Sequence, residues 1–130
     1  MKPVEPLRGR AAFDRVFDGG RKIGGALTVC VYLVDRAEKA ALRVGFAVSS
    51  RQFNAVRRNR VRRLMREAVR HECTPLYAAL TQLRVSADLV MVFRPRPNLD
   101  VHRLTLAPFR SDLADVLGRL AERLLEPAHA

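Results

Sequence analysis

The 130-residue chain is short of acid: 13 Asp and Glu stand against 24 Lys and Arg, a formal net charge of +11. With a pI near 11.3, that imbalance excludes a polycationic partner and points to nucleic acid or an anionic membrane surface. No apolar run reaches the ~18 residues needed to span a bilayer, so no membrane-embedded role is expected. The N-terminal stretch MKPVEPLRGR lacks the apolar segment of a signal peptide, and the chain is expected to stay in the cytoplasm. Cysteine is scarce as well. Cys30 and Cys73 are read as reduced thiols, with Cys30 inside an apolar run and therefore core. His71 and Cys73 are close in sequence, but no second ligand pair stands nearby, so the donor count falls short of a zinc site.

Catalytic constellations are missing too. Gly19-Gly20 and Gly24-Gly25 lack the lysine and the spacing of a phosphate-cradling loop. There are no paired carboxylates in an apolar context. His71, His102 and His129 stand beside arginine or in the tail and read as surface residues rather than bases. No catalytic and no metal-ligating residue is assigned, and any catalysis this chain serves is expected to be performed by something else.

What is present is a core and a basic helix. Hydrophobic content of 48% suits one globular domain over residues 1–130, with short flexible tails at about 1–6 and 126–130. The stretch Arg51–Arg70, RQFNAVRRNRVRRLMREAVR, holds arginine at 51, 57, 58, 60, 62, 63, 66 and 70 and a single acid, Glu67. Val61, Leu64, Met65, Ala68 and Val69 recur at i, i+3, i+4, i+7 and i+8, which is one apolar stripe on a helix. At about 100° per residue, Asn59, Arg60, Arg62, Arg63, Arg66 and Arg70 fan across the other side. Asn54 fits an N-cap, so the helix is expected from about Ala55 to His71, on the order of 25 Å long. Ordinary solvated faces mix charge signs. Here only Glu67 can pair, with Arg63 at i−4, and the remaining arginines repel one another unless a polyanion neutralises them. Arginine also grips phosphate bidentately and stacks on bases, so this face is read as a nucleic-acid surface.

Around it the elements read in order. Phe13, Val16 and Phe17 make a short first helix that stops at Gly19-Gly20. Residues 21–25, RKIGG, read as a loop. Residues 26–35 read as a strand apolar on both faces, either buried on both sides or lining a cleft. Residues 41–50 alternate as a second strand, and the short link between them suggests a hairpin. Residues 72–86 read as a connector in which Pro75 breaks a continuous helix, leaving room for a short turn around Leu76–Leu83. Residues 87–97 are another apolar strand. A final helix carries Phe109, Leu113, Val116, Leu117, Leu120 and Leu124. The result is an α+β sandwich with one sheet, α-β-β-α-β-α, with a further strand hidden if 21–50 splits.

The words GFAVSSRQFNAVRRNRVRRLMREAVR, and the order of elements around them, resemble the bacterial ribonuclease P protein component, the partner of a catalytic RNA that removes the 5′ leader of precursor tRNA. The match rests on Val48-Ser49, the turn Ser50-Arg51, and Arg58-Asn59-Arg60 continuing with Arg62, Arg63 and Arg66; it covers about residues 7–125. Ser50 and Phe53 replace a basic residue and a glycine common in the family, and Pro6 stands where the lead-in often has arginine. The resemblance implies a ribosomal-S5-domain-2-like fold, α-β-β-β-α-β-α, with one mostly antiparallel sheet. It also implies a left-handed βαβ crossover, which general rules would not suggest, since about 98% are right-handed. It implies that Arg51, Arg57, Arg58, Asn59, Arg60, Arg62, Arg63, Arg66 and Arg70 meet the RNA subunit. Phe13, Phe17 and Tyr32 would line a cleft for the single-stranded leader. The RNA, using Mg2+, would carry the chemistry of the endonuclease, and precursor tRNA would be the substrate. The rival reading is a non-enzymatic RNA-binding protein such as a ribosomal protein. A helix-turn-helix DNA reader fits poorly, because a strand and a proline-containing connector flank the basic helix.

Overall fold

The computed structural model describes residues 4–97, 99–100 and 103–127; His102 and His129 lie outside them. In chain order the elements are β1 (Glu5–Pro6), α1 (Arg10–Gly19), β2 (Arg21–Gly24), β3 (Thr28–Arg36), β4 (Ala41–Ala47), α2 (Ala55–Glu72), α3 (Thr74–Leu83), β5 (Val85–Phe93) and α4 (Leu106–Leu125). The strands form one sheet in the order β1-β4-β5-β3-β2. β2–β3 and β3–β5 are antiparallel, and β1–β4 and β4–β5 are parallel.

The expected hairpin between β3 and β4 does not form, because β5 lies between them. Its run Ala87–Met91 is buried, which suits a central strand covered on both faces. The link over residues 37–40 steps across the start of β5: Arg36 registers with Val85 and Ala41 with Ser86. Two strand spacings are roughly 9–10 Å, within reach of that link. Ala37 N donates to the Arg84 carbonyl at 3.2 Å, where Arg84 turns the chain with φ 55°. β4, the helices α2 and α3, and β5 therefore make the βαβ crossover.

Three expectations change at the local level. Residues 21–24 are a strand rather than a loop, paired with Val29–Tyr32. The buried carboxylate of Asp112 on α4 accepts from Ala26 N at 2.6 Å and from Thr28 Oγ1 at 2.8 Å, which closes the tight link after β2. Gly25 sits so close to Asp112 and Val116 that a Cβ would collide with them. The connector contains a ten-residue helix, α3, with Pro75 in its first turn, where a missing N–H costs nothing. Residues 5–6, expected within a flexible tail, pair with Arg43 and Val44.

The two faces of the sheet differ. One is covered by α2, α3 and α4 over a core that includes Cys30, Leu42, Leu89, Met91, Met65, Leu80, Phe109 and Leu117. The other carries α1, packed through Val16 and Phe13 on Val31 and Val90, with Leu7 of the lead-in in the same cluster. An ion network ties α1 down on that side: Arg15 reaches Asp35 at 2.6 Å and Asp88 at 3.3 Å, and Arg43 reaches Asp88 at 2.6 Å. Beside α1, the row Val29–Val92–Ala47 stays partly exposed. Among the described residues no helix is long and apolar enough to cross a membrane.

Candidate RNA interface

The basic helix begins where its sequence says it should. Asn54 Oδ1 accepts from Arg57 N at 2.9 Å, and the helix runs Ala55–Glu72. Val61, Met65, Ala68 and Val69 are buried, which confirms the helical phase; Leu64 is only half-buried, at the margin of the stripe. The turn before the helix is held by Phe53, whose ring lies 5.8 Å from Phe93, itself 5.8 Å from Phe109. The phenylalanine standing where a glycine is common thus anchors the turn to the core.

The arginines divide by what they touch. Arg58 Nη1 donates to the Phe53 carbonyl at 2.7 Å, and Arg60 Nη2 to the Leu104 carbonyl at 2.5 Å. These two brace the helix against neighbouring chain while keeping donors to spare, since a guanidinium has five. Arg62 donates to Asn59 Oδ1 at 3.2 Å. Glu67 pairs with Arg70 at 3.3 Å and with His71 at 3.4 Å, not with Arg63 as expected. That leaves the exposed side chains of Arg51 and Arg63 without a protein partner among the described residues. Arg66 lies over the Phe46 ring, 5.6 Å from its centre.

The aromatic trio is not brought together. Phe13 is half-buried and covers Gly45, where a Cβ would strike its ring. Phe17 stands 43% exposed on α1. Tyr32 faces the opposite side of the sheet, 4% exposed, its hydroxyl accepting from Arg123 Nη1 at 3.1 Å. A strand apolar on both faces gives no alternation from which to phase it, so the sequence could not say which way Tyr32 points. Val31 and Leu33, its neighbours, hold the α1 side. What the structure joins instead is Phe13 with Arg62, Arg66 and Arg70, around a cleft of about 490 Å3 between the lead-in, β4 and α2. Sequence spacing could not signal that cleft, because it depends on β1 pairing beside β4.

No three His, Cys, Asp or Glu among the described residues are grouped to hold a metal ion. Burial pushes the Cys30 thiol far above its ordinary value, so it is no nucleophile. The Arg15 guanidinium is raised by its hydrogen bond and charge pairing with Asp35, which fits a fixed tether rather than a proton donor.

Known proteins match most of the chain. The family described as Ribonuclease P matches residues 1–121. The chain belongs to the ribonuclease P protein family. The ribonuclease P protein component of Brevibacillus brevis is 34% identical over 124 residues, covering 95% of this chain and 88% of the relative. That of Chloroflexus aurantiacus is 34% identical over 128 residues, covering 98% and 84%. The match to the Bacillus velezensis protein is shorter, 40% over 72 residues, and spans 61% of that relative. In structure, the ribonuclease P protein of Thermotoga maritima aligns with a TM-score of 0.68 at 23% identity, covering 88% of this chain and 96% of that one. The Staphylococcus aureus protein aligns with a TM-score of 0.66 at 19% identity, covering 91% and 96%. The fold is thus that of the ribonuclease P proteins, α+β with one five-stranded sheet. As a ribonuclease P protein component, the chain is the protein subunit of an endoribonuclease of tRNA 5′ processing, with a ribonuclease P RNA as its partner.

Proposed function

We propose that the chain docks on the catalytic RNA through the arginine face of α2 and guides the 5′ leader of precursor tRNA along the sheet face beside α1. The observation that carries this reading is the one-sided fan of α2, in which two acids, Glu67 and Glu72, stand against seven arginines, and Glu72 is already taken up by Arg110 of α4. Phosphates supply the missing counter-charge, and unpaired bases stack on planar arginine. Arg51 and Arg63 have whole guanidiniums to offer; Arg57, Arg58, Asn59, Arg60, Arg62, Arg66 and Arg70 join from a helix whose phase is set by the buried stripe. For the leader, Phe17 offers an exposed flat face on α1, the helix that packs on the same sheet face as the partly exposed row Val29–Val92–Ala47. Such contacts suit bases of any sequence and hence many precursors. Tyr32, on the far face, takes no part.

The RNA subunit performs the hydrolysis with Mg2+, and the protein's work is binding and positioning in the cytoplasm. Purified chain added to the catalytic RNA should restore precursor-tRNA cleavage at low Mg2+, where the RNA alone is slow. Cleavage unchanged by the protein would refute the reading and favour an RNA-binding role outside ribonuclease P.

A further inference from the structure

The cleft beside β1 has a cause and a chemistry of its own. β1 pairs with Arg43 and Val44, so beyond them, at Gly45–Phe46, the edge of β4 away from β5 has no strand neighbour among the described residues. The chain leaves that edge at Leu7, whose N–H still reaches the Val44 carbonyl at 3.1 Å. The gap opens between the lead-in and α2. Its volume, about 490 Å3, falls within the roughly 300–1,000 Å3 of small-ligand sites. Phe46 and Phe13 supply flat apolar surface, and Arg8, Arg62, Arg66 and Arg70 supply charge against the single acid Glu5. Phe46 is half-buried and carries the Arg66 guanidinium over its face at 5.6 Å. That stack makes a planar cationic platform, held in place at the mouth of an apolar pocket.

Resting on the RNA-binding reading above, we propose that this cleft seats one unpaired RNA nucleotide. The base lies on the Phe46–Arg66 platform, and its flanking phosphates meet Arg8, Arg62 and Arg70. Apolar walls alone would suit many ligands. Even with Arg70 partnered by Glu67, Arg8, Arg62 and Arg66 outnumber Glu5 around an aromatic floor, which selects a base that carries phosphates. The nucleotide can come from the catalytic RNA or from the leader, and both present the same chemistry.

Two variants test the seat in the reconstituted holoenzyme. Phe46→Leu keeps apolar bulk and removes the aromatic face. Arg66→Lys keeps the charge and removes the plane, and its exposed position leaves folding intact even where Phe46→Leu does not. Three affinities are measured: protein for catalytic RNA, and holoenzyme for precursor and for mature tRNA. Losing one base stack should weaken binding by roughly 5- to 150-fold with an unchanged salt slope. If the catalytic RNA fills the seat, the first affinity falls. If the leader fills it, only precursor binding falls, and mature tRNA binds as before. Either outcome supports the seat. Both variants binding all three RNAs as wild type does, with unfolding unchanged, would overturn it. A loss that comes with a flattened salt slope would overturn it too, in favour of phosphate contact alone. Wild-type protein that fails to restore cleavage refutes the functional reading itself, and the seat with it; active wild type with indifferent variants refutes only the seat.

Discussion

Replacing Arg63 by alanine should weaken RNA binding and leave the fold alone, whereas replacing Arg60 should also cost stability. Both lie on the exposed side of α2, but their surroundings differ. Arg63 has no protein partner among the described residues, while Arg60 donates to the Leu104 carbonyl at 2.5 Å. Losing that hydrogen bond at a solvent-facing site costs about 1 kcal/mol, which for a domain of this size lowers Tm by roughly 3–5 °C. Arg63→Ala should unfold within about a degree of wild type. Its effect lies in counterion release. Each lost phosphate contact flattens the log–log salt slope by about 0.7 for single strands and about 0.9 for duplex. Raising salt fourfold should then narrow the affinity gap between wild type and Arg63→Ala by about threefold. The assay is equilibrium binding to the catalytic RNA across a salt series, with thermal unfolding alongside. A slope for Arg63→Ala equal to that of wild type would refute the claim that this face neutralises phosphate.

Phe17→Ala should lower holoenzyme affinity for precursor tRNA by roughly 5- to 150-fold and spare mature tRNA, which has no leader to stack; because the ring is 43% exposed, stability should change little, and equal losses for both RNAs would make Phe17 a packing residue. Met65→Ala, at a fully buried site, should cost about 2–5 kcal/mol, and Leu64→Ala, at the margin of the stripe, clearly less; chemical unfolding that ranks them the other way would mean the helix is rotated. Cys30 should resist alkylation until the protein unfolds, because burial raises its thiol. The unfolded chain loses that proton above the ordinary thiol value of 9.0 while the folded chain keeps it, so this cysteine should make stability fall as pH rises past 9.0. Rapid labelling of Cys30 in the native state, followed by mass spectrometry, would contradict this.

The basic helix was legible from end to end because its signals are local. The cap at Asn54, the stripe from Val61 to Val69 and the excess of arginine each depend on residues within a few turns. The final helix was legible for the same reason. α3 was half-seen, as a turn, because Pro75 looks like a breaker until it is placed in the first turn. The strand at Arg21–Gly24 was hidden by the Gly24-Gly25 pair at its end, and it is Asp112, far along the chain, that closes the link that follows it.

By itself the sequence determined an α+β domain and a helix with one arginine face, since composition and periodicity report what each segment must bury or expose. Tertiary structure alone decided that β5 separates β3 from β4, that Tyr32 turns away from Phe13, and that Phe13 shares a cleft with Arg66. The reason is physical. Strand pairing is a competition between distant segments, and a strand apolar on both sides offers two faces of equal merit. Which partner and which face prevail depends on the helices that cover the sheet, and those are known only once the whole core has assembled.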